Sequence, residues 1–227
     1  VYLDGGTLRS SSLSSTTPRS WAGDIVLLSE SDIHGKYRSS DGAAGWVQIL
    51  GTVSGSGRLM VNQGNKGIVS LAGDNIHTGD TRAVQGTFRL EHTGALKNST
   101  LDLAGGDSGI VEFDTPAEYT LGGLKGSRDL DMDGKTLSIG NNGQSTSYSG
   151  VLSNGTLTKI GSGTLTLGGA NTHDGDTRAA AGTLHLTNAD ALQNSTLDLA
   201  GSDTGTVTFD TPMAYTFGGL KGSRHLN

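Results

Sequence analysis

Residues 71–130 recur, without a gap, as residues 167–226; 39 of the 60 paired positions are identical. The shared runs include Gly79 to Ala83 with Gly175 to Ala179, Asn98 to Gly105 with Asn194 to Gly201, and Gly122 to Arg128 with Gly218 to Arg224. A near-exact tandem unit offset by 96 residues is what a one-dimensional stack requires, because each unit closes its core on a copy of itself. The repeat divides the chain into an opening segment, 1–54, a first repeat unit, 55–150, and a second, incomplete unit, 151–227. We expect them to form one solenoid. Val1 opens without a leader peptide in what reads as a strand, so the chain reads as a piece of a longer protein.

A shorter motif recurs inside each unit: a small residue, Thr, then apolar, polar, apolar. It appears at Gly163 to Leu167, Gly182 to Leu186, Ser195 to Leu199 and Gly205 to Phe209. Alternation over so few residues, bracketed by Gly, Asn, Asp and Ser, predicts short strands with one buried face. No convincing 3.6-residue period appears, so the fold class is all-β.

The two copies also indicate which face is buried. Val111 and Phe113 recur as Val207 and Phe209, whereas Ile110 and Glu112 become Thr206 and Thr208. Packed positions tolerate change poorly and solvated ones drift. The predicted interior therefore holds Leu101, Leu103, Val111, Phe113, Leu165, Leu167, Leu197, Leu199, Val207 and Phe209.

Sandwiches, barrels and solenoids all use such strands. Glycine decides for the solenoid: 37 of 227 residues supply the left-handed backbone of tight corners. Aromatic residues make up only 5%, which suits a narrow interior where medium aliphatics stack on their like. At about 20 to 24 residues per coil, the chain would hold about ten coils of a parallel β-helix.

Gly155 to Leu186 resembles the autotransporter-associated β-strand repeat. That family reads as a glycine-bracketed Leu-Thr-Lys strand, a Gly-Thr-Leu strand, an Asn-Thr-Tyr-x-Gly turn and a closing Gly-Thr-Leu strand. Here the pieces are Leu157 to Lys159, Gly163 to Leu165, Asn171 to Gly175 with His173 in the usual Tyr place, and Gly182 to Leu184. Gly57 to Leu90 is a looser copy, and Trp21 to Leu28 resembles the strands that precede such repeats. The resemblance implies a right-handed parallel β-helix in the passenger of a secreted protein. That passenger would be displayed at a Gram-negative surface and followed by an outer-membrane barrel of the same polypeptide. Its implied partners are surface glycans or proteins.

Composition excludes several functions. A net charge of −6 offers no surplus of cations to displace phosphate counterions, which argues against nucleic acid. No run approaches the ~20 apolar residues of a membrane helix. The absence of cysteine removes disulfides, thiolate metal sites and thiol catalysis. Nucleophile elbows, paired-histidine zinc motifs and phosphate loops are missing.

The remaining candidates are carboxylates and histidines. Asp102 and Asp198, like Asp114 and Asp210, fall at outward positions, and the expectation for all four is solvation. A polysaccharide-cleaving β-helix would need two of them within about 10 Å. This enzyme and a phage-tailspike-like glycan-binding fibre are the rival readings to a non-catalytic stalk. Asp129-Leu-Asp-Met-Asp-Gly134 opens like a calcium loop, but the twelfth position is Gly140 rather than Glu. Its alternation sets Asp129, Asp131 and Asp133 on one side, the possible calcium ligands. His77 and His173 occupy the same turn in both copies, which favours a duplicated structural role. Ser10 to Ser20 reads as a polar loop. Trp21, Tyr37 and Trp46 read as bulk capping the solenoid end, with an aromatic platform for sugars as the alternative.

Overall fold

The computed structural model describes residues 1–11, 13–211 and 214–226. Ser12 of the expected polar loop, and Asn227 at the end of the second repeat unit, lie outside these residues. The fold is all-β, a parallel β-solenoid of about ten turns. No helix among the described residues is long and apolar enough to cross a membrane. Contacts group the chain into two compact units: 1–102 with 106–116, and 103–105 with 117–227.

The first unit stacks its coils through three parallel sheets. One contains Tyr2–Leu3, Ile25–Leu27 and Val53–Gly55. A second runs Thr7–Arg9, Ser31–His34, Leu59–Val61, Thr81–Ala83 and Leu96–Leu103. The third runs Arg19–Trp21, Trp46–Ile49, Ile68–Leu71, Thr87–Leu90 and Ile110–Phe113. A side hairpin, Tyr37–Arg38 with Ala43–Ala44, is the one antiparallel pair among the described residues. The strand Arg19–Trp21 also cuts into the stretch expected to be loop.

The second unit carries two rows. Glu118–Gly126, Leu130–Ile139, Leu152–Lys159, Thr177–Ala179, Leu192–Leu199 and Phe217–Gly222 form one. Thr146–Tyr148, Thr164–Leu167, Thr183–Leu186 and Thr206–Phe209 form the other. Registers such as Glu118↔Thr136 and Ile25↔Val53 set coil lengths of 18 to 28 residues, bracketing the expected size.

Like stacks on like in the core. Ile49, Leu71 and Leu90 lie in register through one sheet, each with no exposure. Leu165 and Leu184, and Leu167 and Leu186, do the same in the second unit. A fully buried Leu or Ile contributes about 1.5–3 kcal/mol relative to exposure, so repeated aliphatic rows dominate the stability. Leu101, Leu103, Phe113, Leu165, Leu167, Leu197, Leu199 and Val207 are buried as expected. Val111 and Phe209 point to the predicted side but are only half-buried. Their strands, Ile110–Phe113 and Thr206–Phe209, are sheet edges, each paired on one side only among the described residues. Phe209 is covered instead by edge-on contacts with Tyr215 and Phe217, at centroid distances of 4.9 and 6.1 Å.

Candidate functional site

The chemistry-bearing side chains that recur in both units converge on one turn, Asn75 to Arg82 in the first and Asn171 to Arg178 in the second. The turn is glycine-pinned: a Cβ on Gly79 would collide with the carbonyl oxygen of Gly57, and one on Gly175 with that of Gly155. Coils can therefore approach here at backbone distance.

Asn171 sits with 1% exposure and joins three successive coils. Its Oδ1 accepts the amide of Leu152 at 2.8 Å, and its Nδ2 donates to the carbonyl of Ala191 at 2.9 Å. Asn75 does the same with the amide of Val53 at 2.8 Å and the carbonyl of Ala95 at 3.0 Å. Turn carbonyls and amides outside the sheet ladders would otherwise be orphaned, at about 1–3 kcal/mol each.

The histidines extend this clamp. Ser99 Oγ donates to the carbonyl of Gly79 at 2.6 Å, and Thr81 Oγ1 lies 2.9 Å from Ser99 Oγ. With the Ser99 proton committed, Thr81 must donate to Ser99, and His77 Nε2 must donate to Thr81 across 2.8 Å. The second unit repeats the chain: Ser195 to Gly175 at 2.6 Å, Thr177 to Ser195 at 2.8 Å, His173 to Thr177 at 2.7 Å. Both imidazoles thus carry their proton on Nε2, and both Nδ1 atoms are buried without a partner among the described residues. Burial pushes each histidine down to about 4, so both are neutral at pH 7.

This proton order bears on catalysis. A general base accepts the hydroxyl proton of its nucleophile, whereas these histidines donate to the threonine. His77, Thr81 and Ser99 have no exposure, and their counterparts are equally enclosed. The duplicated structural role expected of the histidines is what the geometry provides.

Arg82 and Arg178 close the turn on its outer side. Arg82 Nε lies 2.6 Å from Asp107 Oδ2, and Arg178 Nε lies 2.7 Å from Asp203 Oδ2; hydrogen bonding to these carboxylates raises both guanidinium pKa values. Each arginine stands in register beside a second carboxylate, Asp102 or Asp198. That arrangement corrects the expectation of solvation for Asp102, which is only 9% exposed, and for Asp198, which is half-buried. A carboxylate in register with an arginine on the next coil can be covered, because the partner offsets its lost hydration. Asp114 and Asp210 are exposed as expected.

The Lys of the second copy's motif, which the first copy lacks, is also internal. Lys159 is 1% exposed, and its ammonium donates to the carbonyls of Ile160 at 2.6 Å, Gly161 at 2.9 Å and Ala181 at 3.3 Å. Burial lowers its pKa.

Asp129, Asp131 and Asp133 are exposed on one side while Leu130 and Met132 are buried, so the alternation is as read. Asp129 Oδ1 accepts the amide of Val151 at 2.8 Å. Both oxygens of Asp131 receive the Asn154 side-chain amide, at 2.9 and 3.1 Å. A bulge follows Asp131, with Asp133 at φ 53° and Gly134 at φ 71°. No group of three or more His, Cys, Asp or Glu able to hold a metal forms among the described residues. The aromatic trio lies on three separate elements. Trp46 is covered by the Arg89 guanidinium, 4.8 Å from the ring centroid, and donates to Ser70 Oγ at 2.8 Å.

Sequence reasoning missed the clamps of Asn75, Asn171 and Lys159. For the asparagines the signal was present: Asn, His and Thr are identical between the copies, while their neighbours Ile76/Thr172 and Thr78/Asp174 differ. Lys159 has no lysine counterpart in the first copy and gave no such signal.

Residues 157–186, which contain this turn, match the passenger-associated-transport repeat. Fold and repeat together show a parallel β-solenoid that carries a passenger-associated-transport repeat of the kind found in autotransporter passengers. Over 159 residues, 67% of the chain, it is 34% identical to the adhesin BmaC autotransporter of Brucella suis biovar 1 (strain 1330). The chain spans 4% of that relative's length. No solved structure matches it.

Proposed function

We propose that the chain is a non-catalytic, adhesive stalk segment of a passenger displayed outside a Gram-negative outer membrane. The barrel that anchors it would be part of the same polypeptide. The observation that carries this reading is the use of the recurring polar side chains: Asn, His, Thr and Ser are spent on joining coils, leaving outward residues such as Thr206, Thr208 and Asp210 on the solvent faces. Such faces suit weak, repeated contacts whose strength grows with copy number. The likeness to an adhesin supports the same reading. Calcium at Asp129, Asp131 and Asp133 remains a proposal for titration. The direct test of the reading is twofold. Beads coated with the chain should adhere to host-cell surfaces in proportion to coating density. A panel of acidic and neutral polysaccharides should show no turnover; turnover abolished by one Asp→Asn change would overturn the non-catalytic reading.

A further inference from the structure

The first coils of the first unit form an open pocket of about 170 Å³ lined by Arg9, Ser10, Ser11, His34, Lys36 and Asn65. This is well below the 300–1,000 Å³ of drug-sized pockets, and it matches one charged substituent of a sugar. Its polar lining is weighted to donors. Arg9 stands in register with His34 on the neighbouring coil, and the Ser10 amide donates to the His34 carbonyl at 3.1 Å. Neither Arg9 nor Lys36 makes an ion pair among the described residues, although Arg38, Arg58, Arg82, Arg89, Lys97, Arg178 and Lys221 all do. Asn65 Oδ1 is taken by the Gly67 amide at 3.2 Å, which leaves its Nδ2 to donate.

The one carboxylate bonded to this lining is already occupied. Asp32 Oδ2 accepts from His34 Nδ1 at 2.6 Å, and its Oδ1 accepts the Gln63 amide at 3.1 Å. That pairing fixes the imidazole tautomer and orients the ring, leaving Nε2 as its unbonded nitrogen. Two cations without ion-pair partners and an amide donor therefore surround one small pocket, in a chain whose net charge is −6. Both cations are exposed, so an anion reaches them from solvent without first displacing a protein partner.

We propose that this pocket binds the sulfate or carboxylate group of an acidic polysaccharide. Arg9 and Lys36 supply the charge, with Asn65 and the serines completing the hydrogen bonds. The site does not depend on the adhesive reading, because binding is measured on the free chain in solution. The test uses calorimetry on the whole chain at low and at 0.5 M salt. The probes are inorganic sulfate, a sulfated uronic-acid disaccharide, and a neutral disaccharide. The sulfated disaccharide should bind at least fivefold more tightly than sulfate, weaken at high salt, and show the neutral sugar inert. Arg9→Ala and Lys36→Gln should each weaken it at least fivefold with an unchanged circular-dichroism spectrum, while Arg19→Ala should not. Equal affinity for sulfate and disaccharide would overturn the polysaccharide as source. Absence of binding, or equal loss in Arg19→Ala, would overturn the site.

Discussion

His77 Nε2 lies 2.8 Å from Thr81 Oγ1, at the end of a proton chain whose direction is set by the carbonyl of Gly79. The donating imidazole must stay neutral at Nδ1, since that atom is buried with no acceptor to receive a second proton. The clamp is therefore sensitive to acid.

Both histidines fall from an ordinary value of 6.5 to about 4 on folding. Between these values the unfolded chain binds more protons than the folded one. Their stabilisation is complete above pH 6.5 and is lost as pH falls toward 4, by about 3 kcal/mol per histidine. Urea unfolding across pH 4 to 7 should show this slope, and the double variant His77→Gln/His173→Gln should be flatter. An equal slope in the variant would refute the assignment.

Lys159→Met keeps the length of the side chain and removes its three bonds to carbonyls. Loss of about 1–3 kcal/mol is expected from the unsatisfied carbonyl oxygens, read as a lower urea midpoint. A neutral effect would mean that water replaces the ammonium.

Asn171→Ala orphans the Leu152 amide and the Ala191 carbonyl together, and Asn75→Ala does the same one unit earlier. Each should cost about 2–4 kcal/mol. Hydrogen exchange should locate the first loss at Leu152 and the second at Val53. Uniform loosening across the chain would contradict local clamps.

Calcium has to displace the Asn154 amide from both oxygens of Asp131 before it can bind there. No saturable heat is expected below about 1 mM, weaker than sensor-type calcium loops. Heat in that range that Asp131→Ala abolishes would establish the site.

The duplication and the alternation of apolar residues made the fold class legible in the chain itself. Periodicity of two fixes which side chains face inward wherever a strand forms, and an identical unit has to stack on its like. The glycine-pinned turn was visible too, down to the pairing of His77 with His173. The partners of its Asn, Thr and Arg side chains on neighbouring coils were not, because they lie 18 to 25 residues away.

Two comparisons show what only the tertiary structure decided. Leu124 and Leu220 occupy the same place in identical stretches, yet Leu124 is fully buried and Leu220 is 59% exposed. The strand holding Leu124, Glu118–Gly126, is covered by Leu130–Ile139, whereas Phe217–Gly222 pairs with Leu192–Leu199 alone among the described residues. Likewise one place in the turn is filled by two chemistries. A Cβ on Gly86 would meet the Asn62 amide at 3.0 Å, and one on its counterpart Gly182 would meet the Lys159 ammonium at 2.8 Å. The sequence determines which face of each strand is apolar, since that is a local alternation. Burial, and which donor reaches an orphaned carbonyl, depend on the neighbouring coil, and the stack alone supplies it.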